Sequence, residues 1–475
     1  MSQAAGTLRQ QVSALLTLPG EAEVHAYYKQ VLLQRNNTLA ICPDSGSGKG
    51  KGVFAHTDIQ DEQIILQEAP LVAGQHTSNK AFALVCSHCF QFLGSIRMQL
   101  AWCKLAALCD GMPPYDLEQM QAIESQLHQT PFSEQWQLPQ PVACPSGCQD
   151  EVYCSQHCAA AAWVAHHSLL CCQASCPRSD AAGCVPETPS SSGNHASGSG
   201  SYASSSNNYA SGNQTAASSA SNRAQLPAGH AAAVREFREH ADNTNDIFLV
   251  AAQAIAHTLI TAHAALASGG PSNLSCWEAL MKGWRPYRMG WKKVWWECVA
   301  CPEDVEDEQA FRRELKDLAQ ESMSLLRAAI FDERFAALFE LDVYGSIVGM
   351  FELNNLGIMS PSPVQEYIEA IDDLPDVDKS LIAQLGLDAE ELRVDGTAYY
   401  ALQSCINHSC QPNAHAMKSE HDLNCSAVII AKHSIPARGE ITISYIDESL
   451  PYEERQEALK DYGFVCRCLL CQQEH

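Results

Sequence analysis

The pattern of hydrophobic and polar positions changes along the chain from short alternating runs to helical spacing. Residues 50–74, with the sequence GKGVFAHTDIQDEQIILQEAPLVAG, place β-branched residues in short runs between polar turn residues, which predicts several short strands. Apolar residues recur at helical spacing in residues 231–267 and 308–339, and residues 95–109 predict a further helix. Helices are therefore expected mainly in the middle of the chain.

Strand patterns return towards the C-terminus. We predict strands in YGSIVGMFELNNLGIM (344–359), NCSAVIIAKHSIPA (424–437) and GEITISYID (439–447). Strands at both ends of the chain, with helices between them, predict an α+β fold in which non-contiguous segments complete a sheet. Residues 1–20, MSQAAGTLRQQVSALLTLPG, predict an amphipathic helix rather than a secretory signal, because their apolar runs are short.

Residues 178–229 differ in composition from the rest of the chain. They contain SSSGNHASGSGSYASSSNNYASGNQTAASSASN, which is rich in Ser, Ala, Gly and Asn and has almost no large apolar residues. Such a segment buries too little apolar surface to offset the entropy that is lost on ordering. We therefore predict a disordered low-complexity linker here.

The chain has 475 residues, 46% of them hydrophobic, so it can bury a large core, and its length corresponds to about three domains. We find no apolar run of about 18 residues, which a membrane helix needs, and expect no membrane span. The formal net charge of −25 disfavours nucleic-acid binding and favours basic protein partners. A solvated acidic surface that only aids solubility is the alternative.

One segment departs from this acidic character. Residues 284–296, WRPYRMGWKKVWW, interleave basic and aromatic side chains, a combination found in surfaces that bind single-stranded nucleic acid. An acidic run, CPEDVEDEQ, follows shortly after it. We therefore predict a helical insert packed on the core, without direct nucleic-acid binding.

The 22 cysteines fall largely into clusters, and the chain shows no export signal. Metal binding or catalysis is therefore expected rather than disulfide formation. In the first cluster soft ligands occur in four pairs, enough for two tetrahedral zinc ions. The pairs are Cys86 and Cys89, Cys144 and Cys148, Cys154 and Cys158, and His167 and Cys171. Alternative ligands beside these pairs are His166, Cys172, Cys176 and Cys184.

A second cluster, FVCRCLLC, brings Cys466, Cys468 and Cys471 together near the C-terminus. Three thiolates leave a tetrahedral zinc ion one ligand short. The fourth ligand is predicted to be Cys410, in the octapeptide NHSCQPNA, with Cys405 as its rival. The two clusters together predict about three zinc ions.

These motifs resemble those of a known enzyme family. NHSCQPNA, GEITISYID and DYGFVCRCLLC occur in this order and resemble the catalytic half and the post-SET cysteines of SET-domain methyltransferases. GKGKGVFA resembles the glycine-rich first segment of that domain, and the cysteine pairs that end in YCSQHCAAAAWVAHHSLLC resemble an inserted MYND zinc finger. Together they resemble the SET-and-MYND (SMYD) lysine methyltransferases, and they are also similar to plant trithorax-related SET proteins.

The chain departs from the SMYD pattern in three places. A long segment separates Cys89 from Cys144, the second pair has a C-x3-C spacing where C-x2-C is usual, and the chain stops just after Cys471. It therefore resembles the branch that lacks the helical C-terminal domain, and substrate choice by that domain does not carry over.

The resemblance implies an α+β protein with a SET-domain β-fold of small sheets, an inserted MYND-type zinc finger, a helical insert and a zinc-bound post-SET tail. The implied segments are an N-terminal helical segment (1–44), the first part of the SET domain (45–85), the finger with its long insertion (86–171), the linker (178–229), the helical insert (230–340), the catalytic part of the SET domain (341–449) and the post-SET tail (450–475).

The resemblance also implies an active site. Tyr445 would orient the lysine amine, and Tyr462 would line the lysine channel. The implied S-adenosylmethionine ligands are Lys49, Gly50, Lys51, Asn355, Asn407, His408, Tyr445 and Phe464, with Asn354 as the rival of Asn355. GSGKGKG lacks the Ser or Thr that follows Lys in a nucleotide P-loop, which argues against phosphate binding there.

The implied function is S-adenosylmethionine-dependent methylation of protein lysines. Histone tails are the expected substrate, the nucleus is the expected compartment with the cytoplasm as a second one, and a proline-containing peptide is the expected partner of the finger. Two alternatives stay open: a non-histone lysine substrate, and a catalytically dead SET scaffold whose finger binds such peptides. The presence of Asn407, His408 and Tyr445 favours an active enzyme.

Overall fold

The computed structural model of the protein describes residues 2–35, 38–46, 49–109, 114–127, 130, 133–173, 229–268, 274–290, 293–302, 304–372, 374, 380–386, 392–417 and 424–474. The predicted linker at 178–229 lies outside the described residues, except for Gly229.

The strands are short and lie mostly near the two ends of the chain. They are β1 (Leu39–Cys42), β2 (Gly52–Ala55), β3 (Ile64–Glu68), β4 (Val72–Gln75), β5 (Val142–Ala143), β6 (Val152–Tyr153), β7 (Leu356–Ser360), β8 (Val394–Tyr399), β9 (Asn407–His408), β10 (Ala414–Ala416), β11 (Ala427–Ala431) and β12 (Glu440–Ile443). The prediction of several short strands in residues 50–74 is therefore confirmed by β2, β3 and β4.

Helices fill the middle of the chain and both termini. They are α1 (Ser2–Leu16), α2 (Glu21–Arg35), α3 (Thr77–Lys80), α4 (Ile96–Leu108), α5 (Leu117–Glu124), α6 (Gln156–Ala162), α7 (Ser168–Leu170), α8 (His230–Thr244), α9 (Ile247–Ala267), α10 (Cys276–Arg288), α11 (Trp295–Cys298), α12 (Glu308–Ile330), α13 (Leu341–Asn354), α14 (Pro363–Asp372), α15 (Ser380–Leu385), α16 (Tyr452–Lys460) and α17 (Leu469–Glu474). A π-helical turn, Trp163–His167, joins α6 to α7.

Segments from both ends of the chain build one four-stranded sheet. Its strand order is β1-β2-β12-β9, and its neighbours are antiparallel except for β9, which runs parallel to β12. The expectation that non-contiguous segments complete a sheet is therefore confirmed. Smaller antiparallel sheets have the orders β10-β11-β3, β4-β8-β7 and β5-β6.

The prediction of a strand over residues 344–359 is wrong for its first part. Helix α13 occupies this segment as far as Asn354, and β7 starts only at Leu356. Because every residue from Val343 to Phe351 is buried, the sequence shows neither the strand period nor the helical period. A Cβ added at Gly345 would lie 2.4 Å from the Trp296 ring, so the glycine lets the helix approach that ring closely.

The largest hydrophobic core surrounds α9. This helix is long and apolar enough to cross a membrane by length and composition, but 61% of its most apolar window is buried inside the protein, as in a core helix. Helix α10 packs against it, and Trp284 of α10 is fully buried and donates its indole N–H to the Leu15 carbonyl at 3.1 Å. Among the described residues of the basic aromatic segment, Trp284, Trp295 and Trp296 therefore pack into the core, in agreement with the predicted helical insert.

Candidate active site and metal centres

The parallel pairing of β9 with β12 places the NHSC motif beside the GEITISYID strand. Asn407 lies opposite Thr442, and His408 lies opposite Ile443. On its other edge β12 pairs with β2, which directly follows the glycine-rich loop at residues 45–51. Three segments that are far apart in sequence therefore meet at one point of the fold.

The side-chain amide of Asn407 is held by three acceptors. Its Nδ2 lies 3.0 Å from Ser45 Oγ, 3.0 Å from the Lys51 carbonyl oxygen and 2.8 Å from Glu440 Oε1. A Cβ added at Gly52 would lie only 3.2 Å from the same nitrogen, so the packing here is tight. Asn407 thus connects the glycine-rich loop to β12.

The glycine-rich loop needs glycine at position 50, where φ is 73°, a left-handed conformation that other residues rarely adopt. On either side of Gly50 a lysine is engaged by the surrounding fold. Lys49 Nζ lies 3.2 Å from Glu440 Oε2, and Lys51 Nζ donates to the Met289 carbonyl at the end of α10. The predicted cofactor residues of this loop are therefore held against the NHSC motif.

Three aromatic residues surround His408. The ring centroids of Tyr445 and Tyr462 are 5.0 Å apart, and the His408 ring lies 5.4 Å from Tyr445 and 5.9 Å from Phe464. Phe464 is 36% exposed, which leaves part of its ring open to a planar partner. The two predicted catalytic tyrosines and the predicted adenine contact therefore form one cluster with His408.

Both tyrosine hydroxyls donate to main-chain carbonyls. Tyr445 Oη donates to the Ile406 carbonyl at 2.6 Å, and Tyr462 Oη donates to the Tyr445 carbonyl at 3.3 Å. Burial raises the pKa of Tyr445, so its phenol is protonated at neutral pH. Because the Tyr445 hydroxyl donates its proton to a carbonyl, the lone pairs of its oxygen stay available to accept a hydrogen bond from an amine.

His408 joins the aromatic cluster to the C-terminal cysteines. Its Nδ1 accepts the backbone N–H of Tyr445 at 3.1 Å, and its Nε2 lies 3.2 Å from Cys410 Sγ. Burial, together with the nearby charges of Lys49 and Arg455, lowers the pKa of His408 to about 4. The imidazole is therefore neutral at pH 7, which allows Nδ1 to act as an acceptor.

Asn355 comes from a different segment of the chain than the other predicted cofactor residues. It follows the last residue of α13, where it lines a cavity with Glu352 and Thr397. Within the described part of the chain, no hydrogen bond joins Asn355 to the NHSC motif. Its rival Asn354 donates a side-chain hydrogen bond back to Met350 of its own helix, at 2.7 Å. The role of Asn355 in cofactor binding stays a prediction.

The C-terminal cysteines converge on the NHSC motif as predicted. Four sulfur atoms lie within 4.8 Å of one another: those of Cys410, Cys466, Cys468 and Cys471. Sulfur ligands of a tetrahedral zinc ion lie about 3.8 Å apart, so this set fits zinc. The rival Cys405 is not part of the set, because its thiol donates to Tyr28 Oη at 3.1 Å in the hydrophobic core.

The ligand pairs of the first cluster interleave to form two sets of four. The first and third pairs meet in one set, Cys86, Cys89, Cys154 and Cys158, and the second and fourth pairs meet in the other, Cys144, Cys148, His167 and Cys171. Cys89 Sγ lies 3.6 Å from Cys154 Sγ, and Cys144 Sγ lies 3.3 Å from His167 Nε2. Both sets therefore fit a tetrahedral zinc ion.

The structure also places the alternative ligands of this cluster. His167, and not His166, belongs to the second set. Cys172 lies beside that set, where its thiol donates to Asp150 Oδ2 at 2.6 Å, and it forms a three-membered group with Asp150 and Cys148. Cys176 and Cys184 lie outside the described residues.

Comparison with known proteins identifies the domain that these motifs form. The family description "SET domain" matches residues 50–446. The chain belongs to the SET-domain family. It is 37% identical to "Histone-lysine N-methyltransferase ATXR2" of Arabidopsis thaliana, over 97% of this chain and 96% of that protein.

Shorter matches connect this SET-domain protein to further relatives. It is 31% identical to "Protein-lysine N-trimethyltransferase SMYD5" of Gallus gallus, over 35% of this chain and 43% of that protein. It is 43% identical to "Histone-lysine N-methyltransferase ASHR1" of Arabidopsis thaliana, over 17% of this chain and 16% of that protein. The resemblance to SMYD-type and plant trithorax-related SET proteins is therefore confirmed.

Two carboxylates of this SET-domain protein hold the site and were missed in the sequence analysis. Glu440 contacts both Asn407 and Lys49. Glu68 is fully buried and accepts the backbone N–H groups of Leu402 and Gln403, both at 3.0 Å. Glu440 lies inside the GEITISYID motif, and this position was a signal from which its role could have been predicted. Glu68 is a single acidic residue in a predicted strand, and no sequence pattern distinguishes it.

Proposed function

We propose that this SET-domain protein transfers methyl groups from S-adenosylmethionine to lysine side chains of histones. The coarser prediction, a protein-lysine N-methyltransferase, is confirmed by the SET-domain family and by the likeness to named lysine methyltransferases over nearly the whole chain. The observation that carries the proposal is the convergence of the glycine-rich loop, the NHSC motif and Tyr445 at one point of the fold.

We assign cofactor binding to residues around this point. S-adenosylmethionine supplies an electrophilic methyl group on a positively charged sulfonium. The residues around this point fit such a molecule, because Gly50 leaves the loop backbone uncovered by a side chain and the half-open Phe464 ring offers a face for adenine. The assigned ligands are Lys49, Gly50, Lys51, Asn355, Asn407, His408, Tyr445 and Phe464.

The tyrosines are assigned to the lysine. A free lysine has a pKa near about 10.4, so a methyltransferase has to bind its amine neutral and desolvated. The half-buried rings of Tyr445 and Tyr462 supply the desolvated walls, and the Tyr445 oxygen can accept a hydrogen bond from the amine. Holding the amine in line with the methyl group supplies much of the remaining rate by proximity.

A histone substrate is favoured by charge and by the relatives. The net charge of −25 suits a basic polypeptide partner, and two of the similar proteins are named histone-lysine N-methyltransferases. A chromatin substrate would place the protein in the nucleus, and a substrate made in the cytoplasm would place part of it there. A non-histone basic protein is the alternative substrate.

We assign the cysteine sets to two zinc modules. Residues 86–171 form a MYND-type finger with two zinc ions and a surface for a proline-containing peptide, and residues 450–475 form a post-SET tail with a third ion. The interleaved ligand sets support the first assignment, and the approach of Cys410 to the tail cysteines supports the second. The remaining segments, 1–44, 45–85, 178–229, 230–340 and 341–449, keep the boundaries inferred from the sequence.

The decisive experiment is methyl transfer from labelled S-adenosylmethionine to core histones and to a panel of other basic proteins. Wild-type protein is compared with Tyr445→Phe and with Tyr367→Phe, a buried tyrosine of a separate core cluster. We expect the wild type and Tyr367→Phe to label a histone, and Tyr445→Phe to lose about 100-fold or more of the rate.

The same experiment separates the alternatives. Label on a non-histone protein, lost in Tyr445→Phe, would replace histones as the substrate and keep the enzyme class. If no protein is labelled and the purified chain does not bind S-adenosylmethionine, the proposal fails, and a peptide-binding scaffold becomes the better account.

A further inference from the structure

Arg455 is a buried arginine that has no part in the chemistry described so far. It belongs to α16, the helix that lies between Tyr445 and the tail cysteines in the sequence, and it is only 3% exposed. An arginine keeps its positive charge even when it is buried, and a buried charge without a partner is strongly destabilising. The surroundings of Arg455 must therefore supply acceptors and negative charge.

Oxygen atoms meet only part of this demand. Arg455 Nη1 donates to the Leu450 carbonyl at 2.6 Å, and Nη2 pairs with the carboxylate of Glu474 on α17. The Glu474 side chain is 39% exposed, so water screens this ion pair. The Nε–H group of Arg455 is buried and has no hydrogen-bond partner within the described part of the chain. Arg455 therefore keeps both charge and a donor for a further partner.

The remaining neighbours of the guanidinium are sulfur atoms of the tail cysteine set. Burial raises the pKa of the Cys410 thiol and of the Cys471 thiol, whereas a hydrogen bond from Arg455 acts on each pKa in the opposite direction. Four thiolates around one zinc ion carry a net charge of about −2, which a buried site has to balance. The charges of Arg455 and of such a centre are opposite in sign and lie side by side.

The next residue of α16, Gln456, contacts the same sulfur set. Its Nε2 lies 3.3 Å from Cys471 Sγ, and its Oε1 accepts the backbone N–H of Cys466 at 3.0 Å. One amide thus donates to the sulfur of one ligand and holds the main chain of another. Residues that contact metal ligands in this way fix the orientation of those ligands and tune their basicity.

The cysteines of this set also contact the active site. His408 Nε2 lies 3.2 Å from Cys410 Sγ, and His408 Nδ1 accepts the Tyr445 backbone N–H at 3.1 Å. Phe464 precedes Cys466 by two residues, and its ring centroid lies 5.9 Å from that of His408. A displacement of the tail sulfur atoms would therefore displace rings of the aromatic cluster.

We propose that Arg455 and Gln456 are positioning residues that balance the charge of the tail zinc ligands, orient them, and through them hold the aromatic cluster for methyl transfer. This role goes beyond the proposed function, and only its effect on methyl transfer rests on that function. Hydrogen bonds from a cation and from an amide stabilise a zinc-bound thiolate against protonation, so the ion should leave the site more slowly.

The test follows the transfer of zinc from the purified full chain to an excess of the chromogenic chelator pyridylazoresorcinol. Arg455→Met keeps a long apolar side chain but removes the charge and the N–H groups. We expect one of about three zinc ions per chain to leave about tenfold faster than in the wild type, while the ions of the first cluster leave at an unchanged rate.

Gln456→Glu is the second variant. It keeps an acceptor for the Cys466 N–H but replaces the donor to Cys471 by a negative charge, so the same ion should leave faster. If Gln456 only packs against the tail, zinc release from this variant would match the wild type. Should Arg455→Met fail to fold, Gln456→Glu decides the question.

Two controls separate zinc holding from stability in general. Glu474→Gln removes the charge of the ion pair but leaves the guanidinium beside the sulfur atoms, and it should release zinc at the wild-type rate. Arg312→Met is the matched control, because Arg312 also pairs with a glutamate, Glu308 at 2.8 Å, and donates to a carbonyl, that of Trp296 at 2.8 Å. It should release zinc at the wild-type rate as well.

Methyl transfer is the second readout. The rate of Arg455→Met should fall about tenfold when free zinc is low and recover when zinc is added, because the residue acts through the metal site. Arg312→Met should show no such recovery. Wild-type zinc release in Arg455→Met and Gln456→Glu, or the same acceleration in Arg312→Met, would overturn the inference whatever the activity. Faster zinc release in both variants, with no methyl transfer by the wild type, would overturn the proposed function and leave the zinc-holding role standing.

Discussion

The side-chain amide of Asn407 lies 2.8 Å from Oε1 of Glu440, while the other oxygen of the same carboxylate lies 3.2 Å from Lys49 Nζ. One carboxylate therefore holds two of the residues that are assigned to the cofactor, one from the glycine-rich loop and one from the NHSC motif. Because Glu440 begins β12, it also connects both residues to the strand that leads to Tyr445.

We expect Glu440→Gln to weaken binding of S-adenosylmethionine about tenfold, since the amide loses the charge that engages Lys49 and one of its two acceptor oxygens. Isothermal titration calorimetry measures this affinity directly. The matched control is Glu448→Gln, which removes a carboxylate that pairs with Lys432 on the surface. Equal affinities in the two variants would contradict a positioning role for Glu440.

Glu68 supports the chain just before the NHSC motif. It accepts the backbone N–H groups of Leu402 and Gln403, and the turn Gln403–Cys405 leads directly to Ile406, whose carbonyl accepts the Tyr445 hydroxyl. Glu68→Ala leaves two buried N–H groups without this acceptor, and we expect it to lower the free energy of unfolding by about 3 kcal/mol.

Urea denaturation checks this expectation. Glu68→Gln keeps one acceptor oxygen and should lose clearly less stability than Glu68→Ala. Glu118→Ala, an exposed residue of α5, serves as the control and should leave the free energy of unfolding almost unchanged. The role assigned to Glu68 does not survive if its alanine variant is as stable as the control.

The ligand sets and the active-site motifs could be predicted because their information is local in sequence. Cys86 and Cys89, for example, have a spacing that already favours a shared metal ion, and the residues of the NHSC motif are consecutive in the sequence. The first ligand pair combines with the third, and the second combines with the fourth. This combination depends on how distant segments pack, so the spacing of the cysteines alone could not predict it. The choice of His167 over His166 depends on the π-helical turn between α6 and α7, which no sequence pattern indicated.

Helix α13 shows the opposite case, in which local pattern was misleading. Its apolar residues are buried on all sides by α9, α11 and α12, so tertiary burial removed the amphipathic signal of a helix. The same helix ends at Asn354, and Glu352 and Asn355 line one cavity. A residue-by-residue comparison with a family motif cannot show such placements.

The tail cysteines should couple metal binding to the active site. Replacing Cys466 and Cys468 by serine removes two of four ligands of the predicted third ion, and we expect zinc content to fall from about three ions to about two per chain. Because His408 contacts both Cys410 and Tyr445, and Tyr462 and Phe464 precede Cys466, methyl transfer should be lost as well.

Zinc content is measured by inductively coupled plasma mass spectrometry on purified protein. The control variant is Cys276→Ser, an exposed cysteine outside the described ligand sets, which should keep both its zinc and its activity. A double variant with three zinc ions and full activity would contradict the coupling between the tail and the active site.

The ion pair of His76 and Asp246 predicts a pH dependence of stability. The hydrogen bond to Asp246 raises the pKa of His76, and although burial opposes ionisation of Asp246, the hydrogen bonds from His76 and Thr77 lower the pKa of Asp246. The histidine contribution is complete below its unfolded pKa and is lost as pH rises through the folded pKa. The aspartate contribution is complete above its unfolded pKa and is lost as pH falls through the folded one, so the pair stabilises most between about pH 4 and pH 6.5.

His76→Gln should therefore destabilise the protein more at about pH 5.5 than at about pH 8, by a difference of at most about 1 kcal/mol, because both side chains are partly exposed to solvent. Urea denaturation of wild type and variant at the two pH values measures this difference. His56→Gln, at an exposed histidine, is the control and should show no such pH dependence. The same loss of stability for His76→Gln at both pH values would mean that His76 acts through its packing and not through its charge.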